Sequence, residues 1–388
     1  MVNPFKTNFW PRPRDEASAF VITTPLEHVG ATVVTAMTVW NGVLYYAIAQ
    51  AAGLPRLFRW DGINAAVEVT LPLWPGAPAS IEINCMTVYD DTLWIGTSPN
   101  TGDANNIEVW FFDGNLWTDA TTLAGWAAVA SPVPGAIGYG VGWLFVFNSM
   151  IFVGQDTAVP AITVQQWNGT TWTNETAVLT AALAGAVIAC DTPTTRMHAP
   201  VLNSTVYVGG YDAAAAGTSN SSVLSRTAAG VWAVAYNFPS SLGAGAGPAD
   251  PVRAVVRINS DIFAAQGWRS RIGALTPVAS GDQMKLARVT NAQYARIIPP
   301  GYLSARTVSS GRDTRSNVGV EVGIFAGPGG VDVFDPVNGS VEQVTDLQDD
   351  APYDVLSFLD TIYLSQGSDR MRPSATPAQH SARVGHLD

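Results

Sequence analysis

Apolar and polar residues alternate along most of this chain in short runs, the period-two pattern of strands with one buried and one solvated face. The runs come in pairs around a turn. An alternating stretch, as from Thr35 to Trp40 or from Arg253 to Ile258, meets an Asn or Asp, and an aliphatic and then an aromatic residue come next. The pattern reads Asn41-Gly-Val-Leu-Tyr45, Asp91-Thr-Leu-Trp94, Asn148-Ser-Met-Ile-Phe152, Asn203-Ser-Thr-Val-Tyr207, Asn259-Ser-Asp-Ile-Phe263 and Asp360-Thr-Ile-Tyr363. A weaker copy ends in Ile324-Phe325. These are hairpins, recurring at roughly 55-residue intervals until a shorter last step. After several of them the sequence turns small, as at Ile95-Gly96 and Val153-Gly154, which predicts a second strand entering a crowded place.

A third strand then ends in an aromatic followed by Asp-Gly or Asn-Gly. FFDGNLWTDATT, from Phe111 to Thr122, and QWNGTTWTNETA, from Gln166 to Ala177, are near copies of that turn. Gly62, Gly114 and Gly169 take its glycine position, where both central residues are expected to have positive φ. A fourth strand opens with Trp117, Trp172 or Trp232, expected to pack between units. Four short antiparallel strands in about 55 residues make a propeller blade. The fold class predicted is therefore all-β, a β-propeller most simply read as seven four-stranded blades. Six and eight stay open, because Gly267 to Gly319 is irregular. Ala19 to Thr23 (AFVIT) is expected to complete the last blade, pairing the chain ends and removing free sheet edges. The organisation expected is an N-terminal arm over 1–17, a propeller over 18–367 and a C-terminal arm over 368–388.

The aromatic-Asp/Asn-Gly-x-x-Trp turns resemble those of kelch-like β-propellers over most of the chain. The Gly-Gly pair typical of kelch second strands is clear only at Gly209-Gly210. The turns are also similar to the Asp-box of sialidases, whose end NGTTW matches while the leading Ser and Asp do not. The resemblance implies a fold and names no activity.

Composition narrows the function classes. Of 388 residues only 13% are charged, the net charge is −11, and Lys6 and Lys285 are the only lysines. Such a surface offers no general attraction to nucleic acid. The apolar stretch from Ile137 to Gly154 is interrupted by Asn148-Ser149 and reads as two buried strands, not a membrane span. Ala177 to Cys190 reads as a short helix or buried loop. Two cysteines, Cys85 and Cys190, make no disulfide framework, and the sequence leaves their pairing open. The N-terminal MVNPFKTNFWPRPRDE lacks the apolar core of a signal peptide.

Candidate chemistry is sparse. His28, His198, His380 and His386 show no zinc-site spacing, and no HExxH, CxxC, G-x-S-x-G or P-loop occurs. No cofactor, metal or catalytic residue is assigned, and the chain is not expected to be an enzyme. Glycoside hydrolysis would need two facing carboxylates. Glu68, Glu82, Glu108, Glu321 and Glu342 fall in strand-like sequence and are expected on solvated faces. An Arg cluster among Arg253, Arg257, Arg269 and Arg271 gives no reason to prefer a site over surface charge, and Asp346 to Asp350 reads as a solvated loop.

Both termini are Pro- and Arg-rich without hydrophobic period. Phe9, Trp10, Arg12, Arg370, Arg372 and Arg383 are the candidate subunit-contact residues of two arms. Low charge, scarce Lys and Cys, abundant Thr, Asn, Gly and Trp, and no secretion signal together suggest a structural virion protein of a bacteriophage. It would be tail-associated, made in the host cytoplasm, binding itself and other virion proteins and touching a host-surface glycan. The alternative is a carbohydrate-binding propeller, with rim tryptophans such as Trp268 stacking on sugars. A glycosidase ranks third.

Overall fold

The computed structural model describes residues 22–29, 31–50, 54–74, 81–99, 108–127, 140–156, 162–182, 188–189, 199–212, 221–238, 252–258, 261–266, 271–275, 307–312, 321–327, 330–335, 340–345, 355–358, 361–366 and 381–387. Their strands gather into seven antiparallel sheets, one for each hairpin copy. The first holds Ala31–Trp40, Val43–Gln50, Arg56–Trp60 and Val67–Val69. The second holds Ile81–Tyr89, Thr92–Pro99, Val109–Phe112 and Trp117–Asp119. The third holds Val141–Phe147, Met150–Asp156, Ile162–Trp167 and Trp172–Asn174.

In the fourth sheet two short pieces, Ile188–Ala189 and Val201–Leu202, share the first-strand position beside Thr205–Asp212, followed by Ser221–Thr227 and Trp232–Phe238. The fifth contains Val252–Ile258, Asp261–Gln266 and Arg271–Leu275; the sixth contains Thr307–Arg312, Glu321–Gly327, Gly330–Asp335 and Ser340–Thr345. The seventh runs Val355–Phe358, Thr361–Gln366, Ser381–Leu387 and then Ile22–Val29, from the other end of the chain. First strands lie against one another from the first sheet to the second and third, and from the fifth to the sixth and seventh. Ala31–Trp40 also lies beside the seventh sheet. The fold is an all-β, propeller-type array.

Register explains the repeated aromatics. Tyr45, Trp94, Phe152, Tyr207, Phe263, Phe325 and Tyr363 all fall in the second strand of their sheets. Tyr45, Trp94, Phe152 and Phe263 are buried, and Tyr207 is half-buried. Gly96 and Gly154 do meet crowding. A Cβ on Gly96 would stand 2.6 Å from Val141 Cγ1, and one on Gly154 would stand 2.7 Å from Trp143 Cε3. The core lies between sheets: Leu93, Ile95 and Trp110 of the second sheet pack with Tyr45, Ala47 and Leu57 of the first.

The pair of positive-φ residues expected of the aromatic-Asp/Asn-Gly turns is found instead in the turns that join first to second strands. Two-residue turns with both residues at positive φ join first to second strands: Asn41-Gly42, Asp90-Asp91, Asn148-Ser149 and Asn203-Ser204. In the aromatic-Asp-Gly turns only the glycine has positive φ, as at Gly62, Gly114 and Gly169. There the Asp or Asn side chain organises a longer loop. Asp113 Oδ1 accepts from the N–H groups of Asn115 and Leu116 at 2.8 Å each, and Asn168 Oδ1 from those of Thr170 and Thr171 at 2.9 Å each. The side chain takes over bonds that a tighter turn would make through backbone. Asp61 does the same for Ile63 and Asn64.

Two further expectations change. The strand from the N-terminal part is Ile22–Val29, which takes in Ile22 and Thr23 of AFVIT and runs further along the chain, while residues 19–21 lie outside the described residues. The arm over 368–388 is not all arm, because Ser381–Leu387 sits between Thr361–Gln366 and Ile22–Val29, with Arg383 in register with Gln366 and Glu27. Its SARVGHL alternation satisfies backbone groups that a two-stranded sheet would leave open. Phe9, Trp10, Arg12, Arg370, Arg372, Trp268, Cys190 and the segment 346–350 lie outside the described residues. The Ile137 to Gly154 stretch contains two strands around Asn148-Ser149, and Ala177 to Cys190 begins within a helix, α1, over Thr176–Ala182. Among the described residues no helix is long and apolar enough to cross a membrane.

Candidate functional site: an open seam between two sheets

The fourth-strand tryptophans each donate an indole N–H to the sheet before. Trp117 reaches the carbonyl of Thr70 at 2.9 Å, Trp172 the carbonyl of Ala120 at 2.9 Å, and Trp232 the carboxylate of Glu175 at 2.9 Å. Thr70, Ala120 and Glu175 are each the residue immediately after the preceding fourth strand. One bond is thus written three times, across three successive seams.

Beyond that acceptor the three seams diverge. In the seam between the second and third sheets, the chain makes a 3-10 turn over Ala120–Thr122, capped by Asp119, and then folds over Trp172. The Ala124 carbonyl accepts from Trp172 N at 2.9 Å, and Trp126 packs edge-on against Trp172 with centroids 4.8 Å apart. The Gln165 amide exchanges two hydrogen bonds with the Ala127 backbone, at 2.8 and 3.1 Å. Between the third and fourth sheets, α1 fills the space with buried Leu179. There Arg226, 3% exposed, grips Glu175 through Nε (2.8 Å) and Nη2, bonds Gln166 at 3.1 Å, and lies 4.5 Å above the Phe152 ring.

Between the first and second sheets the filling is partial: Trp74 is buried in the core and packs edge-on against Trp110 (centroids 5.8 Å), with Leu71 against the same core. From Thr70 to Trp74 the chain forms neither helix nor strand. A cleft of about 490 Å³ remains, lined by Tyr45, Arg59, Thr70, Phe112, Asn115 and Trp117 among others. Its aromatic lining residues, Tyr45, Phe112 and Trp117, are linked through buried Trp40, which lies behind the cleft. Tyr45 packs on Trp40 (centroids 5.4 Å), Trp40 on Phe112 (5.9 Å), and Phe112 stacks on Trp117 (4.8 Å). Arg59 is the cross-strand neighbour of Tyr45, and Asn115 is presented by the Asp113 turn. Exposed Leu116, Val67 and Leu73 add apolar surface in the same region. A cleft of this size, with polar and apolar lining in about equal measure, suits a small polar ligand with an apolar face.

The seam positions of Trp117, Trp172 and Trp232 correspond to the between-unit packing expected of them. Cleft residues Arg59, Thr70 and Asn115 carried no signal, since each also reads as an ordinary strand or turn residue. The carboxylates divide. Glu68 is exposed and bound by Arg56, but Glu82 and Glu108 are buried, against the expectation of solvated faces. Glu108 accepts from Trp110 Nε1 at 2.7 Å, and burial pushes its carboxyl up to about 7. Arg257 is exposed and donates to the Val201 carbonyl at 3.2 Å. Cys85 is a buried thiol directed at the Val141 carbonyl, 3.7 Å away.

No family model matches the chain, and no curated protein matches it. Solved structures do. The extracellular domain of a hybrid two-component system from B. thetaiotaomicron superposes with TM-score 0.52 at 11% identity, over 94% of this chain and 39% of that one. A second structure, described as the extracellular domain of a one-component system from the same organism, gives 0.52 and 11%, over 94% and 40%. A Trypanosoma rangeli sialidase gives 0.48 and 10%, over 95% and 56%. The chain spans about two fifths of the two signalling chains and just over half of the sialidase chain. At these identities the two signalling domains establish a shared fold and no more.

Proposed function

We propose that this protein is a carbohydrate-binding propeller whose ligand sits in the open seam between the first and second sheets. The observation that carries the reading is the contrast among seams. Three share an indole bond from the fourth-strand tryptophan, two are closed over by the chain, and the third, whose core Trp74 plugs, keeps a cleft at its surface lined by aromatic and polar side chains. The stacked Phe112–Trp117 pair offers aromatic surface to the C–H side of a pyranose, while Asn115, Arg59 and the hydroxyl of Thr70 supply hydrogen bonds for its edge. The cleft assigns no catalytic pair: its one carboxylate, Glu68, is engaged by Arg56. A glycan array followed by calorimetry tests this. Saturable binding weakened at least about tenfold by Asn115→Ala, with unchanged thermal stability, is expected. Glycan binding indifferent to substitution of Asn115, Phe112 and Trp117 would overturn it.

A virion role takes second place. It rests on composition and on terminal arms, and Ser381–Leu387 is already committed to a sheet. The two readings are compatible, since a virion propeller would meet its glycan on a host surface, and a seven-bladed ring closed by the terminal strands would serve both.

A further inference from the structure

We infer that the glycan taken by this cleft is acidic, with a sugar carboxylate held by Arg59; this rests on the reading of the seam as a glycan site. Two arginines stand on one strand and face opposite ways. Arg56 points to the face of Phe58, lies 4.8 Å above that ring, and binds Glu68 through both Nε (2.8 Å) and Nη2. Its charge is already matched. Arg59 projects from the other face, beside Tyr45, into the cleft. It is exposed and has no hydrogen-bond or ion-pair partner among the described residues.

The acids nearby are otherwise engaged. Glu68 lines the cleft but belongs to Arg56. Asp113, at the foot of the Asn115 turn, directs its carboxylate onto the Asn115 and Leu116 N–H groups, which hold its carboxyl below the usual range. One uncompensated guanidinium therefore borders aromatic surface, in a chain whose net charge is −11. A guanidinium fork matches a carboxylate in two parallel hydrogen bonds. The aromatic surface that the stacked Phe112–Trp117 pair presents to the cleft matches the apolar side of a pyranose. A uronic-acid-type sugar unites both features; a neutral sugar uses only the second.

The test pairs a ligand change with a residue change. Oligogalacturonate and its methyl ester share rings and hydroxyls and differ in charge. They are titrated by calorimetry into wild type and Arg59→Met, alongside an array of neutral and carboxylated glycans and an acidic peptide. The expected result is a preference for carboxylated glycans. Esterification and Arg59→Met should each weaken binding at least about tenfold, their effects should not add, and affinity should fall with salt. Equal binding of acid and ester, or an array that selects neutral glycans lost on Asn115→Ala, would overturn the acidic inference and keep the cleft. Failure of every glycan, with or without binding of the acidic peptide, would overturn the glycan reading and this inference with it.

Discussion

The seam between the first and second sheets and the seam between the third and fourth are built on the same indole bond and end up opposite in character. In the latter, the acceptor is the Glu175 carboxylate, which brings Arg226, Gln166 and Phe152 into a buried network roofed by α1. In the former, the acceptor is the Thr70 carbonyl, and the Leu-Pro-Leu stretch next in the chain leaves a cleft. The middle seam is intermediate, closed by a 3-10 turn and the Ala124–Ala127 segment. A repeat can thus keep its structural bond constant while the residues just after it decide whether a seam is filled or available.

The contrast extends to buried carboxylates. Glu175 has a guanidinium; Glu108, in the core of the open seam's second sheet, has one indole donor. Breaking the former should have the largest effect. Glu175→Ala leaves Arg226 buried without its counter-charge and Trp232 without its acceptor, and should cost about 3–5 kcal/mol in denaturant unfolding. Glu175→Leu combined with Arg226→Met should cost clearly less than either change alone. Equal or larger loss in the double variant would mean that the network stabilises through more than its own pairing.

Glu108 gives the next effect, and its sign is opposite to that of an ordinary paired carboxylate. Its folded value of about 7 stands above the ordinary 4.5, so the folded state favours the protonated form. That contribution is complete below about pH 4.5 and fades as pH rises through 7. Wild type should lose up to about 3 kcal/mol across this window from this group. Glu108→Gln, whose amide oxygen still accepts from Trp110, should remove that slope. Parallel pH profiles for the two proteins would show that the carboxylate is not the source.

Glycines compare the seams directly. Gly125 has φ +87°, and a Cβ there would meet the Trp172 carbonyl at 2.3 Å; Gly114 has φ +103° but only Trp40 Cη2, at 3.7 Å. Gly125→Ala should therefore cost about 2–3 kcal/mol and Gly114→Ala about 1 kcal/mol. Equal losses in thermal unfolding would mean that the middle seam is not the tighter. Smallest is the indole bond itself. Trp117→Phe should cost about 1 kcal/mol, less than Trp172→Phe, because Trp172 is 3% exposed and its bond is buried whereas that of Trp117 is open to solvent.

Much of the fold was legible because its causes are local. Period-two alternation, Asn and Asp at turns that require positive φ, and small residues where strands crowd are all properties of a few adjacent positions. They placed the seven second-strand aromatics and the tryptophans of the fourth strands. Even so, Asp-Gly reads as the tight turn, because the sequence does not show whether an Asp side chain or its backbone will accept the turn's bonds; Asp113 and Asn168 use the side chain. Three matters were decided only in three dimensions. Pairing of the chain ends was expected, but that Ser381–Leu387, read as arm, supplies the strand beside Ile22–Val29 was not, since edge pairing depends on what else comes near. Glu175 meets Arg226 51 positions away, and burial separates Glu108 from Glu68 although both read as strand carboxylates. The cleft itself is assembled from residues of two sheets and the Thr70–Pro72 stretch between them, and no single residue announces it.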